Sequence, residues 1–144
     1  MIQSAALLFA PLLLAQGGTD ALNCDNARTQ TAMNMCSKQE YDRADAELNR
    51  VWEQVRAHAR HADGTYDYGD GEPGHWDTLL KAQRACLIYR EEHCRLSSYD
   101  ARGGSLQPLL ASDCMTSLTE ARTTELHGLL TNQVSGEPKS VSEE

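Results

Sequence analysis

The chain has 144 residues, with 21 acidic and 13 basic side chains and a formal net charge of −8. This length provides for one modest hydrophobic core, so a single folded domain is expected. The acidic surplus argues against nucleic acid and anionic membranes as partners, because both require basic residues to neutralise phosphate. A basic protein partner would suit this charge, although surplus carboxylates also serve simply to keep a protein in solution.

The first fifteen residues contain an apolar run over residues 5–14. A run of this length followed by a small residue is typical of a secretory signal peptide, and it is too short for a lasting membrane span. We therefore predict a signal peptide over residues 1–15 with cleavage near Ala15, and a lead-in over residues 16–26. A buried N-terminal helix is the alternative.

A lipid anchor is not expected at the first cysteine. Cys24 follows Asn23 rather than a small residue, and it lies nine residues beyond Ala15. The mature protein is therefore predicted to be secreted or periplasmic, with no stable membrane anchor.

Between residues 27 and 60, apolar residues recur every three or four positions, which predicts one apolar stripe along a first helix. Glutamate and arginine pairs three residues apart, such as Glu47 and Arg50, cover the other face and favour an exposed helix surface. The stripe consists of Tyr41, Ala44, Leu48, Val51, Trp52, Val55 and Ala59.

Two further helices are predicted after glycine-containing loops. Residues 61–74 contain four glycines and four acidic residues but no lysine or arginine, which indicates a loop. A second helix follows over residues 75–97, and a second loop over residues 98–108. A third helix extends to residue 131, and the polar residues 132–144 are predicted to be a disordered tail.

Helices joined by two such loops predict an all-α fold, an antiparallel three-helix bundle over residues 27–131. Five cysteines in a short exported chain further predict two disulfides that staple the bundle, and one thiol left over. Cys86 is the expected free thiol, because it lies in the middle of the second helix whereas the other four lie near the ends of elements.

The disulfide pairing depends on where the first helix begins. If it begins near residue 27, about three helical turns separate Cys24 from Cys36, or roughly 15–18 Å, whereas a disulfide joins α-carbons about 4.4–6.8 Å apart. We therefore favour pairing Cys36 with Cys94 and Cys24 with Cys114. The alternative, Cys24 with Cys36 and Cys94 with Cys114, remains open at this point.

A group of polar residues is predicted to lie at or near the bundle interior. Arg90 lies two turns from Gln83 on an otherwise apolar stripe, so its guanidinium requires a partner. Asp45 on the first helix is the candidate, with Asn49 one turn further on. We expect a buried network that fixes the helix register; a patch that grips a target is the alternative. The set is Asp45, Asn49, Gln83, Arg84, Arg90 and Arg122.

No catalytic or metal-binding motif is recognisable. Cys86 and His93 are separated by two helical turns, roughly 10 Å, which is too far for a nucleophile and its base. His58, His61 and His75 flank the acidic loop, but they lack the further ligands that zinc requires, and the loop does not have calcium-hand spacing. The expectation is a protein that is not an enzyme and uses no metal or cofactor.

Four stretches of the sequence together resemble the LprI-type lysozyme inhibitor family of small secreted bacterial domains. The resemblance covers about residues 24–130, and the family usually carries tryptophan at the position of Cys86, which agrees with a core role there. It implies that the protein binds a lysozyme and blocks it, and the acidic charge of the chain favours a basic lysozyme. The stretches are residues 44–49, 79–94, 103–105 and 114–122.

The acidic loop is the candidate docking surface for such a partner, because exposed aromatics among acids are typical of interfaces. A solvated linker is the alternative for the loop. For the whole protein, the alternative is a cell-envelope interaction module or an immunity-type protein with a non-lysozyme partner. The candidate partner-binding residues are Tyr66, Asp67, Tyr68, Asp70, Glu72 and Trp76.

Overall fold

The computed structural model describes residues 22–131. The predicted signal peptide, most of the lead-in and the predicted tail lie outside these residues. The described part contains three helices and no strand, which confirms the all-α fold. The helices are α1 (Gln30–Thr65), α2 (His75–Ser97) and α3 (Gln107–Thr131), and two short 3-10 turns cover Cys24–Asn26 and Ser98–Ala101.

The limits of α1 differ from the prediction at both ends. The helix begins three residues later than predicted, directly after Thr29, whose hydroxyl caps it by accepting a hydrogen bond from the Ala32 amide at 3.1 Å. It ends five residues later, at Thr65. The glycines that take positive φ and turn the chain, Gly69 and Gly71, lie beyond that point.

The limits of α2 agree with the prediction of residues 75–97. After α2 the chain turns through the second 3-10 segment and Gly103, which has a φ of 77°. Of the helices between residues 22 and 131, none is long and apolar enough to cross a membrane.

The three helices run up, down and up. Near the start of α1, Asn34 donates to the Ser105 carbonyl at 3.0 Å, and the Ser37 hydroxyl hydrogen-bonds the Asp113 carboxylate near the start of α3. The first and third helices are therefore parallel, and α2 lies antiparallel to both.

The predicted apolar stripe of α1 supplies most of the core. Its buried members pack against one leucine from each of the other helices, and each such leucine or valine contributes about 1.5–3 kcal/mol through burial. Trp52, Trp76, Leu87 and Leu130 cover this cluster from its edge. The cluster consists of Leu48, Val51, Val55, Ala59, Leu79 and Leu126.

The favoured disulfide pairing is wrong, and the alternative is present. Cys24 pairs with Cys36, and Cys94 pairs with Cys114, with α-carbon separations of 5.5 and 5.4 Å. The prediction failed because it extended α1 back to residue 27. The chain before Thr29 is not α-helical. Its short 3-10 turn brings Cys24 back beside the first turns of α1.

Candidate functional site

The connection between α1 and α2, residues 66–74, is called the acidic loop below. It carries three carboxylates and two tyrosines, and neither lysine nor arginine. Together with Asp63 and His75 at its two ends, it lines a concavity of about 630 Å³. Five of the six predicted partner-binding residues lie in this loop.

Asp63 joins the two ends of the loop. One carboxylate oxygen accepts a hydrogen bond from the His75 backbone N–H at 2.6 Å, and the other accepts from the Trp76 N–H at 2.9 Å. Gly74, the residue before α2, provides no side-chain cap, so α1 supplies the cap instead. A Cβ on Gly74 would lie 2.8 Å from the Asp63 carboxylate, so a larger residue there would displace the capping group.

The capping bonds also change the acidity of this carboxyl. The hydrogen bond from the Trp76 backbone N–H, followed by the bonds from His75, lowers the pKa of Asp63. The carboxylate is therefore held in its charged form at the positive end of the α2 dipole.

Two carboxylates fix the course of the loop from within. Asp67 accepts from the Gly69 amide at 3.1 Å, and Asp70 accepts from the Glu72 amide at 3.0 Å. Each bond links an aspartate to the residue two positions later, and Gly69 and Gly71 within these turns take positive φ values of 60° and 79°, which glycine adopts at no steric cost. The loop conformation is thus specified by its own side chains.

The two tyrosines of the loop form one exposed aromatic surface. The rings of Tyr66 and Tyr68 stack with centroids 6.0 Å apart, and the residues are 58% and 67% exposed. The Tyr68 ring also packs beside the His75 ring, with centroids 6.1 Å apart. Large exposed aromatics held beside carboxylates provide apolar contact area with polar edges, which is common in binding surfaces.

Trp76, the sixth predicted partner-binding residue, lies apart from the stacked tyrosines, and its role in binding stays a prediction. It is half-buried and packs against the core, with its ring 5.9 Å from that of Trp52. The Arg60 guanidinium lies over its ring at 4.4 Å. Trp76 is the second residue of α2, and from this first helical turn its ring packs against Trp52 of α1.

Arg90 lies at the centre of the predicted polar network. It is 7% exposed and donates through one terminal nitrogen to Asp45 at 3.0 Å and to the Thr119 hydroxyl at 2.8 Å. Asn49 donates to the other oxygen of Asp45 at 3.1 Å. The Nε atom of Arg90 has no hydrogen-bond partner within the described residues. The network therefore ties all three helices together.

Sequence reasoning missed two members of this network. Thr119 is fully buried and accepts from Arg90, and Tyr41 lies under the guanidinium at 5.3 Å, where burial raises the pKa of its phenol. The sequence pattern places Tyr41 only on the apolar stripe of α1. A threonine within a helix gives no sequence signal of burial, so Thr119 could be found only from the packing.

The other three predicted network residues lie elsewhere. Arg122 donates to Gln83 at 3.0 Å and to Glu125 at 2.8 Å, which forms a second, separate cluster between α2 and α3. Arg84 is exposed and makes no hydrogen bond or ion pair with any described residue. The expectation of a single network is therefore wrong, because Arg84 lies on the outward side of α2.

The remaining candidate groups do not assemble into a reactive site. Cys86 is the free thiol and is half-buried, whereas His93 stacks on Tyr89 with ring centroids 5.1 Å apart. Across residues 22–131, no group of three or more His, Cys, Asp or Glu side chains is placed to hold a metal ion.

Comparison with known proteins gives one family. A family model described as "Lysozyme inhibitor LprI" matches residues 23–126. An uncharacterized protein of Rhizobium meliloti (strain 1021) is 40% identical over 109 residues, which cover 75% of this chain and 78% of the relative. No solved structure matches the chain.

Proposed function

Because the chain belongs to the LprI lysozyme inhibitor family, we propose that it is an exported inhibitor that binds a lysozyme and blocks its glycan cleft. The acidic loop is the proposed docking surface. The family supplies the class of partner, whereas the choice of surface is argued below from the residues of this chain.

The observation that carries the choice of surface is the order of the acidic loop. Two of its three carboxylates close turns, its ends are joined through Asp63, and its two tyrosines stack while remaining exposed. A binding surface that is already ordered loses less conformational entropy on association than a mobile one. A simple solvated linker would need none of these contacts.

The charge of the loop suits a basic enzyme. Asp67, Asp70 and Glu72 lie within six residues, and neither lysine nor arginine occurs between Arg60 and Lys81 along the chain. Complementary charge accelerates encounter and fixes orientation, and salt weakens both effects. The tyrosines would then provide the short-range contacts of the complex.

Export is part of the proposal. Two disulfides are typical of proteins that fold in oxidising compartments, and an inhibitor must reach the compartment where lysozyme attacks the cell wall. The predicted signal peptide over residues 1–15 would supply the route.

The test is the lytic rate of a c-type lysozyme on bacterial cell walls, measured with increasing amounts of the oxidised protein at low and moderate salt. We expect dose-dependent inhibition that weakens as salt rises. Absence of inhibition of c-type and of other lysozyme types would contradict the proposal, and it would favour a cell-envelope interaction module with a different partner.

A further inference from the structure

The side of α2 that faces away from the bundle carries an unusual number of apolar residues. Ile88, Tyr89 and Leu96 are each more than half exposed, and Ala85 is exposed beside them. Their spacing of three, four and seven positions places them along one side of the helix, and the exposed Glu92 lies among them on the same side. This set is called the outer face of α2 below.

Two charged residues that pair with no other residue between 22 and 131 lie along one edge of this face. Arg84 and Glu91 are both exposed, and neither forms a hydrogen bond or an ion pair within the described part of the chain. They flank Ile88, four residues before it and three residues after it. The edge is therefore basic on one side of Ile88 and acidic on the other.

This order of charges is complementary to itself when the helix is reversed. At 1.5 Å per residue, Arg84 lies about 6 Å and Glu91 about 4.5 Å from Ile88 along the helix axis, in opposite directions. In an antiparallel pair of α2 helices that cross at Ile88, each Arg84 lies opposite the Glu91 of the other copy. A two-fold axis produces this contact twice.

We infer that the outer face of α2 is the interface of a symmetric homodimer, in which two α2 helices pack antiparallel across Ile88. Ile88 and Tyr89 of the two copies form its apolar centre, and the reciprocal pairs of Arg84 and Glu91 border it. This inference does not depend on the proposed lysozyme partner.

Other charges on the helix are compatible with this arrangement. Arg95 would approach Lys81 of the second copy. The charge of Arg95 is already neutralised by Glu92, with which it forms an ion pair of 2.6 Å. The acidic loop lies before the first residue of α2, so the antiparallel arrangement places the two loops at opposite ends of the dimer. Both docking surfaces therefore remain accessible.

Sedimentation equilibrium of the oxidised protein tests the inference. We expect a mass that rises with concentration from one chain to two. Ile88→Asp places two carboxylates at the centre of the interface, and it should raise the dimer dissociation constant by at least about tenfold. Leu106→Asp is the matched control, because Leu106 is also exposed but lies near the start of α3. It should leave dimerisation unchanged.

Charge reversal tests the register. Arg84→Glu alone and Glu91→Arg alone each place like charges opposite each other and should weaken the dimer. The double variant restores both pairs with their signs exchanged and should recover most of the loss. Circular dichroism would show that each variant retains its helices, so a weakened dimer could not be attributed to unfolding.

Three results would overturn the inference. One is a protein that stays monomeric at every concentration tested. Another is a dimer whose dissociation constant is the same for wild type and Ile88→Asp. The third is a dimer that disappears in Cys86→Ser, since this would make it a disulfide-linked product of the free thiol rather than a packed interface.

Discussion

Asp63 and His75 lie twelve residues apart in the chain and meet at the base of the acidic loop, where the Asp63 carboxylate accepts the His75 backbone N–H at 2.6 Å. One side chain thus caps α2 and closes the loop that carries the proposed docking surface. The orientation of the loop depends on this contact, because Gly74 supplies no cap of its own.

The Asp63 cap predicts a specific pH dependence of stability. The pKa of Asp63 is lowered from its ordinary value of 3.8, so its contribution is present above that pH and is lost as pH falls through the folded-state pKa. We expect Asp63→Asn to lower the melting temperature at neutral pH, and the difference from wild type to shrink below about pH 3.8.

Thermal unfolding of both proteins over a pH series measures this difference. His75→Ala is the control, because it keeps the backbone N–H groups of residues 75 and 76, whose hydrogen bonds are the two largest causes that lower the pKa of Asp63. Its pH dependence should therefore resemble that of wild type. A constant difference between Asp63→Asn and wild type at all pH values would contradict the capping argument.

The ion pair of the buried Arg90 with the half-buried Asp45 predicts an asymmetric response to mutation. Asp45→Ala leaves a buried guanidinium without its counter-charge and should cost about 2–4 kcal/mol. Arg90→Met should cost less, about 1–2 kcal/mol, because the Asp45 side chain is 34% exposed and can be hydrated.

Urea denaturation of the two variants would measure these costs. The exposed pair of Lys38 and Asp42, 2.7 Å apart, provides the comparison, and Asp42→Ala should cost at most about 0.5 kcal/mol. Equal costs for Asp42→Ala and Asp45→Ala would show that the Arg90 network contributes little to stability.

The disulfide pairing predicts which peptides remain joined after digestion. Arg28 lies between Cys24 and Cys36, and Arg95 and Arg102 lie between Cys94 and Cys114. Trypsin therefore separates each pair in sequence. Mass spectrometry without reduction should find the Cys24 peptide joined to the Cys36 peptide, and a Cys24 peptide joined to Cys114 would contradict the structure.

Each disulfide should also stabilise the fold. The bridges close separations of 12 and 20 residues, and loops of this size contribute about 3 kcal/mol each in the chain-entropy account. Paired serine substitutions at Cys94 and Cys114 should lower the free energy of unfolding by about that amount, as measured by urea denaturation. A loss below about 1 kcal/mol would mean that the reduced chain keeps much of the constraint.

The tyrosines predict a loss of affinity without a loss of stability. Tyr66→Ala and Tyr68→Ala should each weaken lysozyme binding by about tenfold or more, while the exposed positions leave the melting temperature nearly unchanged. Tyr99→Ala is the matched control at the other end of α2 and should bind as wild type. Titration calorimetry measures the lysozyme affinity of each variant, and thermal unfolding measures its melting temperature. Equal losses of affinity at all three tyrosines would remove the loop from the interface.

Much of the fold could be predicted from periodicity. The spacing of Leu48, Val51 and Val55 identified the core face of α1, and the glycines and acids of residues 61–74 located the first connection. The pairing of Arg90 with Asp45 also followed from sequence, because a guanidinium on an apolar stripe requires a counter-charge nearby.

The failures have a common physical cause. The position of Cys24 depends on a 3-10 turn before Thr29, and the position of Trp76 depends on how the first turn of α2 meets α1. Both are set by packing between segments rather than by the period of one segment. The cap at Asp63 was missed for the same reason, since its partners lie twelve and thirteen residues away.

The central claim is that the carboxylates of the acidic loop direct binding to lysozyme. The most direct test is the dissociation constant of a c-type lysozyme with wild type and with the double variant Asp67→Asn/Asp70→Asn, at low and moderate salt. Asp25→Asn/Asp100→Asn removes the same charge away from the loop and serves as the control. We predict that only the loop variant loses much affinity at low salt. The difference in affinity between wild type and the loop variant should become smaller at higher salt. Equal affinity of both variants, or no binding by wild type, would contradict the account.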